Sequence, residues 1–332
     1  MFELIYNLPE ELREAWRGAE AQALPRLRPP QNVAIGGMGG SGIGGDILQA
    51  LLAPHVALPI TIVKDYELPR AVGRETLFFA VSFSGNTEET ISSYEQARAR
   101  KSTVVAITGG GKLGELARRN HDILITIKAP AGCPPRAALA YLFAPLLVTL
   151  CRFRLVPDLR PDLRETIRVL TQHRNRFRLR ARNLAKELKD HVPVIYSTSR
   201  LLDPVANRWR CQLNENAKVF AHVNAFPELD HNEIVGMGAP RAFARLAYVI
   251  VLSDPAAHPR STLRYELTLD ILKKDYAEAR VLLPEGRSDL ARAFSLIMLG
   301  DLVSYYLAEE RKVDPLPVRR IEELKKRLAA AK

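Results

Sequence analysis

The chain has 332 residues, 47% of them hydrophobic and 26% charged, which is long for one core and ordinary for a soluble globular α/β protein of two domains. Its three cysteines, Cys133, Cys151 and Cys211, are odd in number and lack a C-x-x-C pair. They exclude a disulfide scaffold or a structural zinc finger and fit a reduced, cytoplasmic setting. The formal charge of +11 concentrates in RETIRVLTQHRNRFRLRARNLAKELKD, residues 164–190, where apolar residues recur at helical spacing. No helix-turn-helix, ribonucleoprotein aromatic motif or zinc-finger spacing accompanies that stretch. It reads as a solvated helix face, with no nucleic-acid partner expected. Positive charge also steers anionic substrates toward a site.

The opening MFELIYNLPEELREAW carries carboxylates early and has no apolar core of signal length. No membrane partner is expected: LAYLFAPLLVTLC, ending at Cys151, is too short to span a bilayer and reads as a buried helix. Apolar segments at 32–35, 60–63, 77–82, 103–107 and 122–127 alternate with helical stretches. Such runs predict parallel strands covered on both faces. Pro130, Pro134 and Pro135 introduce a helix over 137–151, and VPDLRP at 156–161 reads as a linker. After the Arg-rich helix come strand candidates at 193–197, 217–220, 247–252 and 279–283, with helices at 201–214, 260–274 and 289–310. An amphipathic helix at 318–331 follows DPLP. The same order of elements occurs twice without a sequence repeat. It predicts two doubly wound parallel-sheet domains, residues 1–153 and 154–332.

Two loops carry a ligand signature. GGMGGSGIGGD, residues 36–46, follows the first strand and satisfies G-x-G-x-x-G. Asp65 ends the second strand, about where a ribose-binding carboxylate would stand, so an NAD(P)-dependent dehydrogenase is one reading. The third strand ends in SFSGNTEET, residues 82–90, which places Ser82, Ser84 and Thr87 in a strand-to-helix turn. Hydroxyls, free backbone N–H groups and the positive end of a helix suit the three oxygens of a phosphomonoester. Ordinary N-capping by Ser84 or Thr87 is the alternative for this turn. Taken with Gly39, Gly40 and Ser41, the cluster favours one phosphate over a dinucleotide. A phosphosugar-binding module without catalysis stays open as well.

GGMGGSG followed by VSFSGNTEET resembles the sugar isomerase domain, a flavodoxin-like module that binds phosphosugars. With CPPRAAL (133–139), NENAK (214–218), ELDHNE (228–233) and VDPLPVRRIEELKKRL (313–328), the chain resembles the bifunctional phosphoglucose/phosphomannose isomerases of archaea and bacteria. That resemblance implies two such domains and a cytoplasmic, metal-independent isomerase without cofactor, serving glycolysis and gluconeogenesis. Its substrates would be glucose 6-phosphate, mannose 6-phosphate and fructose 6-phosphate.

Aldose–ketose isomerisation moves a proton between C1 and C2 through a cis-enediolate. It needs a base, a cation for the developing oxyanion, and an acid/base that opens the ring. The resemblance implies Glu215 as the base, Arg136 as the cation, and His231 with Lys325 as the ring-opening pair. It also implies a homodimer in which His231 reaches the neighbouring subunit's site. Gly39, Gly40, Ser41, Ser82, Ser84 and Thr87 would hold the phosphate. Glu215 is flanked by two amides, and Arg136 at a helix start opposes the dipole, a local misfit of the kind that functional residues cause. A metal site at Glu228, Asp230, His231 and Glu233 has no firm ligand spacing behind it and is not expected. In one departure, Val318 stands near where archaeal members place a Thr associated with accepting both C2 epimers. Valine keeps the volume and loses the hydroxyl, so isomerisation is better supported by the pattern than dual specificity.

Overall fold

The computed structural model describes residues 1–331. Helices α1 (Phe2–Tyr6) and α2 (Leu8–Glu20) come first. Pro9 and Glu10 sit in the first turn of α2, where a missing N–H is harmless and negative charge is favoured. Then β1 (Asn32–Gly36), α3 (Gly39–Leu52), β2 (Ile60–Val63), β3 (Thr76–Ser82), α4 (Glu88–Ala99), β4 (Thr103–Thr108), α5 (Gly111–Arg119) and β5 (Ile123–Thr126) wind a five-stranded sheet. The strand order is β2-β1-β3-β4-β5 and every pairing is parallel. The register sets Ile35 beside Phe79 and Ala80 beside Ala106. β3 is buried along its whole length, because helices cover both faces of a central parallel strand.

Helices α6 (Leu139–Arg152) and α7 (Arg160–Leu188) lead to the second sheet. It is built from β6 (Val192–Ser197), α8 (Asp203–Gln212), β7 (His222–Ala225), the short helices α9 (Glu233–Gly236) and α10 (Arg241–Ala244), β8 (Ala247–Leu252), α11 (Pro259–Ile271) and β9 (Glu278–Leu282). Its order is β7-β6-β8-β9, again all parallel. Helix α12 (Asp289–Glu310) follows, then α13 (Arg319–Ala330). By length and composition alone α12 could cross a membrane, but 89% of its apolar window is buried within the protein, packed against α7 and α8. The Trp209 indole of α8 donates to the Leu296 carbonyl of α12 at 2.9 Å.

The inner faces of the two sheets share one core. It takes in Ile35 and Val105 of the first sheet, Ile195 and Ile250 of the second, and α6 and α12 between them. Each outer face has its own smaller core, around Phe78 and Tyr94 in one and Val249 and Tyr196 in the other.

The strand expected at 217–220 is absent. A helical turn runs through Ala217, Lys218 adopts a left-handed conformation (φ 56°), and the strand is β7, His222–Ala225. The apolar pattern of AKVF reflects burial of Ala217 and Val219 at a helix end, a setting in which two alternating residues mimic a strand.

Candidate active site

Strand order reverses between β1 and β3, and open α/β sheets collect ligands at that point. Helix α3 begins there, on the glycine loop. A Cβ on Gly40 would lie 2.6 Å from the Pro135 carbonyl oxygen. Glycine at this place therefore admits the turn Pro135–Ala137 against the helix N-terminus, and that turn delivers Arg136. The helix expected from 137 begins at Leu139, so Arg136 sits in a single 3₁₀ turn ahead of it.

The phosphate-loop hydroxyls are close to one another in the fold. The Ser41 hydroxyl accepts the Phe83 N–H at 3.1 Å and ties the first loop to the second. Ser82 accepts the Gly85 N–H at 3.0 Å and lies 3.0 Å from the Thr87 hydroxyl. Ser84 is exposed and accepts the Asn86 N–H at 3.2 Å. Thr87 occupies the N-cap of α4 but makes no side-chain capping bond. The capping alternative is thus not formed, and the first turn of α4 keeps N–H groups for another acceptor. Gly85 (φ +71°) lets this loop touch the next: a Cβ there would fall 1.8 Å from the Gly110 carbonyl oxygen.

Glu215 comes from the other sheet. Helix α8 does not stop at Gln212 but widens into a π turn, Leu213–Ala217, which Lys218 closes. Such turns recur at functional positions, because the extra residue re-aims its neighbours. Buried Asn216 on this turn accepts the Arg136 Nε–H at 2.6 Å and donates to Ser304 Oγ at 2.9 Å. Glu215 Oε2 lies 3.7 Å from Arg136 Nη1. Carboxylate and guanidinium face a cavity of about 190 Å³, with Gly39, Gly40, Lys64 and Cys211 on its wall. Lys64 is ion-paired with Asp46 at the same cavity.

Arg136 is 5% exposed and held on several sides. Its Nη2 donates to the carbonyls of Pro315 (2.6 Å) and Leu316 (2.9 Å), and its own carbonyl accepts from Arg208, which pairs with Asp301 at 2.6 Å. Burial pulls the Arg136 guanidinium below the usual arginine range, against the opposing pull of Glu215. Lys218 donates to the Glu215 carbonyl and, at 2.7 Å, to the Pro317 carbonyl. Burial and Arg136 lower its ammonium below the usual lysine range. The segment 315–317 is therefore a strap whose three successive carbonyls are gripped by cations from both halves.

His231 and Lys325 do not line this cavity. His231 ends the turn Glu228–His231 and is exposed, and Lys325 is exposed on α13. The carboxylates flanking His231 are taken up elsewhere. Asp230 pairs with Arg264 (3.0 Å) and Thr268 (2.9 Å). Glu233 accepts from the Tyr196 hydroxyl at 2.6 Å, from His222 Nε2 at 2.8 Å and from Asn224. Burial pushes the Glu233 carboxyl up, but these bonds outweigh it and hold the group below its usual range. The bond to Glu233 in turn raises His222. The segment is pinned to β6, β7 and α11, and the His231 side chain is left at the surface.

Sequence reasoning did not find Asn216, Lys218, Arg208, the Lys64–Asp46 pair or the strap carbonyls. For Asn216 and Lys218 the signal was at hand, since both lie in NENAK.

Two doubly wound sheets, with phosphate-type loops on the first and a carboxylate–guanidinium pair between them, define a protein of tandem sugar isomerase domains. Residues 26–149 match the SIS domain family, and residues 177–328 match the bacterial phospho-glucose isomerase C-terminal SIS domain. The chain belongs to the bifunctional phosphoglucose/phosphomannose isomerase family. It is 40% identical to the enzyme of that name from Caldicellulosiruptor bescii over the full length of both chains. Identity with the Aquifex aeolicus enzyme of that name is 36%, over 91% of this chain and 92% of the other. A D-glucosamine-6-phosphate 4-epimerase from Sulfolobus acidocaldarius is 26% identical across 97% of each chain. Among solved structures, the C-terminal domain of a Francisella tularensis glucosamine-fructose-6-phosphate aminotransferase superposes with a TM-score of 0.76 at 16% identity, covering 96% of this chain and 98% of that one.

Proposed function

We propose that this chain interconverts glucose 6-phosphate, and also mannose 6-phosphate, with fructose 6-phosphate by proton transfer through a cis-enediolate. The observation that carries the reading is the Glu215 carboxylate 3.7 Å from buried Arg136, across a cavity walled by the N-terminus of α3. Glu215 takes the proton from one of C1 and C2 and returns it to the other. Arg136, fixed by Asn216 and two carbonyls, meets the enediolate oxygen without having to reorganise. Gly39, Gly40, Ser41, Ser82, Ser84 and Thr87 hold the phosphate, helped by the uncapped first turn of α4.

The dehydrogenase reading loses support at Gly40. The space its missing side chain frees is filled by the Pro135 backbone, whereas a dinucleotide fingerprint frees that space for a pyrophosphate. The test is an assay of all three hexose 6-phosphates with chelator and without nicotinamide cofactor. Turnover supports the reading. Turnover only with metal or cofactor overturns it.

His231 and Lys325 open the ring, and His231 belongs to the site of a second copy in a homodimer. What supports this is the outward setting of His231 on a pinned segment, outside its own chain's cavity. Mixing inactive Glu215→Gln with inactive His231→Ala chains regenerates activity if the site is shared, and leaves none if it is not. The working division of the chain is residues 1–153 and 154–332, and its setting is the cytoplasm, where phosphorylated hexoses are held.

A further inference from the structure

The site described above uses few of the arginines that make the chain basic. Arg13 and Arg17 on α2, and Arg160, Arg164 and Arg168 on α7, line a groove of about 670 Å³ between the two helices. Both rows advance by four residues, which stacks their guanidinia on one face of each helix. Like charges at that spacing destabilise a helix, so two facing rows of them are an arrangement that folding alone does not favour. Among the described residues, Arg13, Arg17, Arg164 and Arg168 have no carboxylate within ion-pairing distance. Arg160 pairs with Asp158 at 2.8 Å, and Glu20 is the one carboxylate on the groove wall. The floor is apolar, formed by buried Trp16 and Leu163 with half-buried Ile167.

The groove has the volume of a small-molecule site, an apolar base and two rails of forked donors. Guanidinium forks bond phosphate oxygens in pairs, which an ammonium cannot do. A second copy of the chain, with 37 acidic residues but a net charge of +11, is repelled from the groove on balance. We propose that this groove binds an oligophosphate of nucleoside-triphosphate class, separately from the phosphosugar cavity. The arginine rails clasp the phosphates and the Trp16–Ile167 floor receives the apolar part.

Calorimetric titration of the full chain with ATP and with inorganic tripolyphosphate, at low salt and in saturating fructose 6-phosphate, tests this. One site per chain is expected, with ATP binding more tightly than tripolyphosphate. The pair Arg17→Glu/Arg164→Glu weakens binding by about tenfold or more. The control pair Arg178→Glu/Arg182→Glu, centred about 20 Å further along α7, leaves it within about twofold. Isomerase kcat/KM stays unchanged in both, since none of these residues touches the phosphosugar cavity. Absence of binding overturns the proposal, as does displacement by fructose 6-phosphate or equal loss in the control pair. Tripolyphosphate binding as tightly as ATP overturns the role of the floor.

Discussion

The two sheets are wound alike, β2-β1-β3-β4 against β7-β6-β8-β9, but their switch points are filled differently. In the first, the loops after β1 and β3 present Ser41, Ser84 and Thr87 with no carboxylate bonded among them. In the second, the chain supplies its own anion. Asp254, after β8, is 3% exposed, accepts the Ser199 hydroxyl at 2.9 Å and faces Arg292 at 3.0 Å. Its backbone N–H donates to the Thr198 hydroxyl at 2.9 Å. The Ser197 hydroxyl likewise donates to Asp203. In the first domain the loop hydroxyls bond backbone N–H groups and one another, whereas in the second the corresponding hydroxyls hold internal carboxylates. Fifteen of the nineteen glycines precede residue 133, and at Gly37, Gly40, Gly42, Gly85 and Gly111, in or beside these loops, a Cβ would meet neighbouring backbone at 3.0 Å or less. A fold used twice thus carries different side chains at its two switch points, and in the function proposed above the first half grips the phosphate while the second supplies the base.

This division predicts separable effects. The largest falls on the catalytic half. Glu215→Gln lowers kcat by about 10²–10⁴-fold while calorimetry still detects fructose 6-phosphate binding, since the phosphate loops are untouched. Arg292→Met comes next. It leaves Asp254 buried without its cation and costs about 3–5 kcal/mol in denaturant unfolding, while kcat/KM of the folded fraction is kept. If stability is unchanged, the second switch point is not held by its own ion pair.

Gly40→Ala pushes a methyl into the Pro135 carbonyl and shifts Arg136. A loss on the order of tenfold to a hundredfold in kcat is expected, together with a fall of about 1–3 kcal/mol in unfolding free energy because the overlap is with backbone. The smallest effect concerns Glu11 on α2, a buried carboxyl which, unlike Asp254, has no cation, and whose Oε2 has no partner. Burial pushes it up to about 8, with Glu14, Glu10 and Asp301 adding to the shift. The folded chain keeps a proton that the unfolded chain releases near 4.5. Stability is therefore full below about 4.5 and declines as pH rises through about 8. Glu11→Gln flattens that slope, which thermal melts at pH 5 and pH 8 would read as a gain confined to the higher pH.

Periodicity made most of the architecture legible. The strands at 32–35, 60–63 and 247–252, and helix 289–310, lie within a residue of their observed bounds. What failed was local and lay around the proposed base. The π turn at 213–217 and the left-handed Lys218 stand where a strand is expected, because burial of alternating Ala217 and Val219 at the helix end imitates a strand's period. Glu215, Arg136 and the phosphate loops stood out through their motifs. The partners that hold Arg136 did not, since a backbone carbonyl such as Pro315 or Leu316 has no residue-type signature.

The strap at 315–317 bears on how this enzyme can be damaged. Both sheets and α12 are complete by Glu310, and Arg311 and Lys312, the next two residues, are exposed. A single cut there by a trypsin-like protease would leave every strand paired. It would also free the segment whose carbonyls hold Arg136 and Lys218, so a nicked molecule is expected to keep its circular dichroism and its core while Arg136, the proposed charge-stabilising cation, loses two of its acceptors. Shape and the setting of Arg136 would then part at one peptide bond, far in sequence from the loops after β1 and β3.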